Sequence, residues 1–134
     1  MLPLRFARRW QVAGVFLLVL VLAFALAPPD WFRSRNLDSL VEISDKWLHG
    51  ATFTLLALWF SGQYAARSYW RLALGLAAFG LLIEITQRMV SYRSAEWMDL
   101  GADLVGIGIG FVIALAGAGG WCLRFEEWLN KRIG

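Results

Sequence analysis

Seven polar side chains fall into three groups in an otherwise strongly apolar chain: Asp45, Lys46 and His49; Glu84 and Gln87; Asp99 and Asp103. His49 is the only histidine, and its imidazole titrates closest to neutrality, which suits general acid–base work or proton relay. Glu84 lies deep in an apolar run, where a carboxylate suits proton exchange. Arg93 adds a guanidinium whose planar fork grips a carboxylate or phosphate through two parallel bonds. On residue type, His49, Glu84 and Asp103 are candidate catalytic groups, and Asp45, Lys46, Gln87, Arg93 and Asp99 are candidate ligand-binding groups. Each also has an architectural reading. Asp45 and Asp99 suit helix N-termini, Lys46 can snorkel to an interface, His49 can bond a neighbouring carboxylate, Glu84 can pair with Arg93 or His49, and Gln87 can satisfy a neighbouring helix. Imidazole and carboxylates from His49, Glu84, Asp99 and Asp103 could ligate a divalent cation, but they form no compact ligand motif. No metal site or cofactor is assigned.

Spacing decides whether these groups can act together. Residues three or four apart share one side of a helix, so Asp45 with His49, Glu84 with Gln87, and Asp99 with Asp103 each form a polar stripe. The stripe of Asp99 and Asp103 continues into Gly106 and Gly110, an interval at which small residues let helix backbones approach closely.

The elements that carry these stripes follow from composition. The 134 residues are 59% hydrophobic and 17% charged, with eight Trp and nine Phe, more apolar side chain than so small a core hides from water. This argues against an ordinary soluble enzyme. Apolar runs cover about residues 10–27, 47–64, 70–87 and 100–117, each near the ~20 residues that a spanning helix needs. The fold expected is all-α: a single membrane domain over 1–134, four transmembrane helices, short loops and an amphipathic C-terminal helix with Trp121, Phe125, Trp128 and Leu129 at helical spacing. Ala25-Leu26-Ala27 before Pro28-Pro29 also suits signal-peptide cleavage, but the first run is read as an anchor. Trp10, Trp31, Trp47, Trp59, Trp70, Trp97 and Trp121 fall mostly near run ends, as interfacial anchors do.

Because consecutive spans alternate direction, the start of the second, the end of the third and the start of the fourth lie at one membrane face. The three stripes therefore converge on one polar pocket, with Arg93 above it. Lys and Arg divide eight (the N-terminus, the second loop and the tail) to five (the first and third loops), which places both termini in the cytoplasm and the pocket at the extracytoplasmic face. The net charge of +3 is dispersed between apolar runs, so no nucleic-acid partner is expected. The single Cys122 closes no disulfide within the chain.

Asp45-Lys46-x-x-His49-x-x-x-Phe53, then Glu84-x-x-Gln87, then Arg93 ahead of Asp99-x-x-x-Asp103-x-x-Gly106-x-x-x-Gly110 resembles the VanZ-like family of small bacterial membrane proteins. The likeness covers about residues 45–110. Asp103 departs from it, since the family commonly has Asn there. The resemblance implies a bacterial inner-membrane protein acting near the cell envelope. It brings an association with teicoplanin susceptibility but no defined reaction.

The function expected is binding, with the option of chemical modification, of an anionic envelope lipid or lipid-linked cell-wall intermediate. Two alternatives stay open: a small proton-coupled transporter, a homodimer with Glu84 as the shared proton and substrate site, and an assembly protein that docks another membrane protein.

Overall fold

A computed structural model of the chain describes residues 1–26, 38–89 and 97–134, with the side chains of all of these except 38–46. Among the described residues the fold is entirely helical. Helix α1 covers Ala7–Leu26, α2 Asp38–Ser61, α3 Tyr69–Met89, α4 Trp97–Ile113 and α5 Trp121–Ile133. A 3-10 turn, Ala66–Ser68, leads into α3, and a π turn, Ala114–Ala118, joins α4 to α5.

Among the described residues, three segments are long and apolar enough to cross a membrane: Ala7–Leu26, Ala66–Met89 and Trp97–Ala118. Their surfaces agree with that reading. Gly14 is the only buried residue of α1, while Val12, Val15, Phe16 and Val19 are exposed, Phe16 by 66%. A helix so apolar and so little covered by its own chain needs a hydrocarbon surrounding.

Helix α2 differs from the sequence expectation. It starts at Asp38 rather than near Trp47 and runs for 24 residues. Hydropathy locates where a helix becomes apolar, whereas backbone hydrogen bonding continues through the polar residues ahead of that point. Asp45 and Lys46 therefore sit two turns inside the helix rather than at its opening, which removes the N-terminal reading of Asp45. The same polar stretch separates α2 from the three strongly apolar segments.

The core lies around α2. Phe53, Leu56 and Ala57 of α2 meet Leu76 and Ile83 of α3, with Ile107 and Phe111 of α4. The closest pairing is α2 with α4, and glycine sets it. A Cβ on Gly106 would collide with the Gly50 carbonyl, and one on Gly110 would lie 2.5 Å from the Ala57 methyl. The Thr54 hydroxyl crosses this seam, donating to the carbonyls of Gly50 at 2.8 Å and Gly106 at 3.0 Å. The small-residue expectation for Gly106 and Gly110 thus has a defined partner helix.

At the end of the bundle where α1 begins, α5 is clamped against α1 and α2. The Glu126 carboxylate accepts hydrogen bonds from the Arg5 amide (2.7 Å), the Phe6 amide (3.0 Å) and the Trp10 indole (2.8 Å). This satisfies free donors at the start of α1 and places negative charge at the positive end of its dipole. The Gly120 amide bonds Ser61 O at 2.9 Å, and the Trp121 indole bonds Leu58 O at 2.8 Å. Trp10, Trp59 and Trp121 pack with centroids 5.4 to 5.7 Å apart. These three tryptophans tie helices together, a role beyond the interfacial anchoring expected for them. The turn that allows this fold-back needs glycine, since Gly117 has φ 142° and Gly120 φ 73°. Arg124 then donates to the carbonyls of Gly117, Ala118 and Gly119, closing the end of the π turn.

Candidate functional site

At the opposite end of the bundle, the polar groups of α2, α3 and α4 come together. His49, partway along α2, points its Nδ1 at Asp103 Oδ1 across a 3.0 Å gap. Asp103 lies on the second turn of α4 and is buried, while His49 keeps partial exposure. The position of Asp103 follows from the Gly50–Gly106 contact: when Gly106 abuts Gly50, the residue one turn earlier on α4 faces the residue just before Gly50. Gly80 of α3 lies on the other side, where an added Cβ would come within 2.9 Å of Asp103 Oδ2. The carboxylate is thus held between an imidazole and a bare stretch of α3.

Glu84 sits one turn beyond Gly80 on α3. It is 1% exposed, and its Oε1 has no hydrogen-bond partner. Asp99, Arg88, His49 and Asp103 are the charged groups whose fields reach it. A buried carboxylate oxygen without a donor is costly and uncommon in a settled structural network. Asp99, in the first turn of α4, is also buried. Arg88 stacks over the Trp97 ring at 4.4 Å, joining the end of α3 to the start of α4.

Gln87 has a different neighbour. Its Nε2 donates to the carbonyl of Ala25 at 2.9 Å, so it holds the last turn of α1 against α3. Between these helices and α2 lies a cavity of about 270 Å³ whose lining includes Val21, Phe24, Leu48, His49, Ile83 and Gln87. Phe24 and Leu48 are exposed at its rim, so the cavity opens on the outer surface of the bundle. Its wall is hydrocarbon apart from His49, Gln87 and Thr52.

Of the residues expected at the site from sequence, His49, Glu84, Gln87, Asp99 and Asp103 gather at this end. The side chains of Asp45 and Lys46, and all of Arg93, lie outside the described residues. Among the described residues no group of three or more His, Cys, Asp and Glu side chains is arranged to hold a metal ion. Sequence reasoning missed Thr54, Gly50 and Gly80. The signal for Thr54 was its place one turn after Gly50, where a hydroxyl reaches the carbonyl four residues back. Nothing local marks Gly80, because its partner is on another helix.

An imidazole bonded to a buried carboxylate keeps a fixed ring orientation and is a basis for proton transfer. Beside it lie a second carboxyl with an unpartnered oxygen and a hydrocarbon-walled opening. Together these can accept an amphiphile and exchange a proton with it. No protein-family model, curated protein or solved structure matches the chain.

Proposed function

We propose that the chain is a VanZ-like, four-span membrane protein that binds an anionic envelope lipid or a lipid-linked intermediate. In this reading α2 is one of the four spans, packed against α3 and α4 through Phe53, Leu56 and Ala57, and it carries more polar residues than the other three. Both termini lie in the cytoplasm, in keeping with the distribution of Lys and Arg, and the His49 end faces outward. His49 and Glu84 handle protons, Asp103 orients His49, Asp99 tunes the local field and Arg93 meets the phosphate.

The observation that carries the reading is His49, bonded to Asp103 behind it, in the wall of a hydrocarbon-lined cavity. A hydrocarbon chain fits that wall, and its polar end reaches the imidazole. The cavity and the unpartnered Glu84 oxygen favour a ligand over an assembly role, for which a closed and fully bonded network would serve.

The test is binding of a polyprenyl phosphate to the purified full-length protein in mild detergent, followed by native mass spectrometry. His49→Ala and Glu84→Gln should each weaken binding about tenfold, the equivalent of ~1.4 kcal/mol. Unchanged binding in both variants, with wild-type thermal stability, would reject the reading.

A proton-coupled transporter is the second reading, favoured by the partnerless oxygen of buried Glu84. The position of the polar groups toward one end of the bundle weighs against it, since alternating access works around a central site. Proton uptake driven by a substrate gradient in liposomes, abolished by Glu84→Gln, would favour it.

A further inference from the structure

The end of the bundle where α1 begins carries a separate amphipathic feature. Arg5, Arg8 and Arg9 are exposed, and among the described residues none of them forms an ion pair. Glu126, the carboxylate nearby, is occupied by the amides of Arg5 and Phe6 and by the Trp10 indole. The Arg5 charge acts on Glu126 through space, but no described carboxylate pairs directly with any of the three guanidinium groups.

Two of them are also held in place. Arg5 and Arg9 both rest on the ring of Phe6, 5.3 and 5.0 Å from its centroid. A groove of about 670 Å³ runs from this cluster down α1, lined by Arg5, Phe6, Arg8, Arg9, Val12 and Phe16 among others. Val12 and Phe16 are largely exposed. Phe16 lies seven residues past Arg9, or ~10 Å along the helix. The order is cationic mouth first and apolar wall beneath, running inward from the end of a segment long and apolar enough to span the membrane.

That order matches a molecule whose anionic head lies at the membrane surface and whose hydrocarbon points inward. A soluble anion would use the arginines but not the wall. We propose that this groove holds an anionic phospholipid of the leaflet in which α1 begins. Arg5, Arg8 and Arg9 take the phosphodiester, and an acyl chain runs over Val12 and Phe16. This site is distinct from the His49 cavity at the other end of the bundle and does not depend on its function.

The experiment compares phosphatidylglycerol with phosphatidylcholine on the full-length protein by native mass spectrometry after mild delipidation. The wild type should retain phosphatidylglycerol selectively. Replacing Arg5, Arg8 and Arg9 together by Gln should weaken that binding on the order of 100-fold, from the ~1 kcal/mol that each basic group contributes near an anionic surface. The single variant Arg9→Gln should weaken it about fivefold on the same basis. A control replacing Arg67, Lys131 and Arg132 by Gln removes the same charge elsewhere and should leave binding within about twofold, since one surface charge acts weakly beyond a Debye length. An equal loss in the control would overturn the proposal in favour of diffuse attraction. Displacement of the lipid by glycerol phosphate at comparable concentration would also overturn it, because the apolar wall would then contribute nothing.

Discussion

His49 of α2 and Asp103 of α4 meet at 3.0 Å beside the point where Gly50 and Gly106 bring the two backbones together. The polar contact and the glycine contact depend on one another. A side chain at position 106 would push α4 away from α2 and open the bond between His49 and Asp103. Gly106→Ala should therefore lower thermal stability in detergent by ~1 to 3 kcal/mol, the usual cost of overpacking. Gly108, on the same helix, has open space where its Cβ would go, so Gly108→Ala should change stability little. Equal effects from the two would show that helix composition, rather than the seam, sets the cost.

Asp103 tests the polar half of the same contact. Asp103→Asn keeps the size and an acceptor for His49, so the fold should survive with a loss below ~1.5 kcal/mol, whereas Asp103→Leu removes a hydrogen bond involving a charged group and should cost ~1.5 to 3 kcal/mol. Gly80→Ala brings a methyl against Asp103 Oδ2 and should fall between them. Thermal melts of the three variants followed by tryptophan fluorescence give the ranking. A Leu variant as stable as the Asn variant would mean that the bond contributes nothing.

The candidate site was legible wherever its logic was local to one helix. The spacing of Glu84 to Gln87 and of Asp99 to Asp103 fixed which residues share a side, and alternation of apolar runs fixed which ends meet. Both kinds of inference need only helical periodicity. Residues whose importance depends on a contact between helices were not legible. Gly80 matters because Asp103 lies against it, and although Gln87 could be expected to satisfy a neighbouring helix, no pattern within α3 indicates that its partner is the Ala25 carbonyl of α1. The start of α2 was misplaced because hydropathy marks only the apolar part of a helix, and α2 extends back from there through polar residues to Asp38. Glu126 looked like one more charge on an amphipathic tail, yet it carries the junction between α5 and α1.

That junction predicts a pH dependence. Burial alone would raise the Glu126 carboxyl above its ordinary value of 4.5, but hydrogen bonds from Trp10, Phe6 and Arg5, with the Arg5 charge, outweigh it and hold the group below that value. A group depressed in the folded state stabilises fully above its unfolded value, and the contribution is lost as pH falls through the folded one. The clamp should therefore be constant near neutrality and weaken only below about pH 4.5. Fluorescence of the Trp10, Trp59 and Trp121 cluster should change in that acid range. Glu126→Gln should abolish the acid transition and lower stability at neutral pH by ~1 to 3 kcal/mol, as expected for partly unsatisfied buried donors. An unchanged acid transition in the variant would assign it to another carboxylate.

Cys122 gives a probe of the same junction. It is fully buried, and its thiol is pushed up to about 12, first by burial and then by the nearby Glu126 charge. The thiolate is the reactive form, so a water-soluble maleimide at neutral pH should leave Cys122 unlabelled in the folded protein and modify it fully once denatured. Gly62 packs directly against Cys122 and Trp121, and a Cβ there would lie 2.7 Å from the Cys122 sulfur. Gly62→Ala should force the start of α5 outward and speed labelling by roughly tenfold or more, since a ~1.4 kcal/mol rise in the open population suffices for that factor. Labelling of the Gly62→Ala protein as slow as that of the wild type would mean that α5 accommodates the methyl without leaving α2. The clamp would then rest on the Glu126 hydrogen bonds rather than on close packing at Gly62.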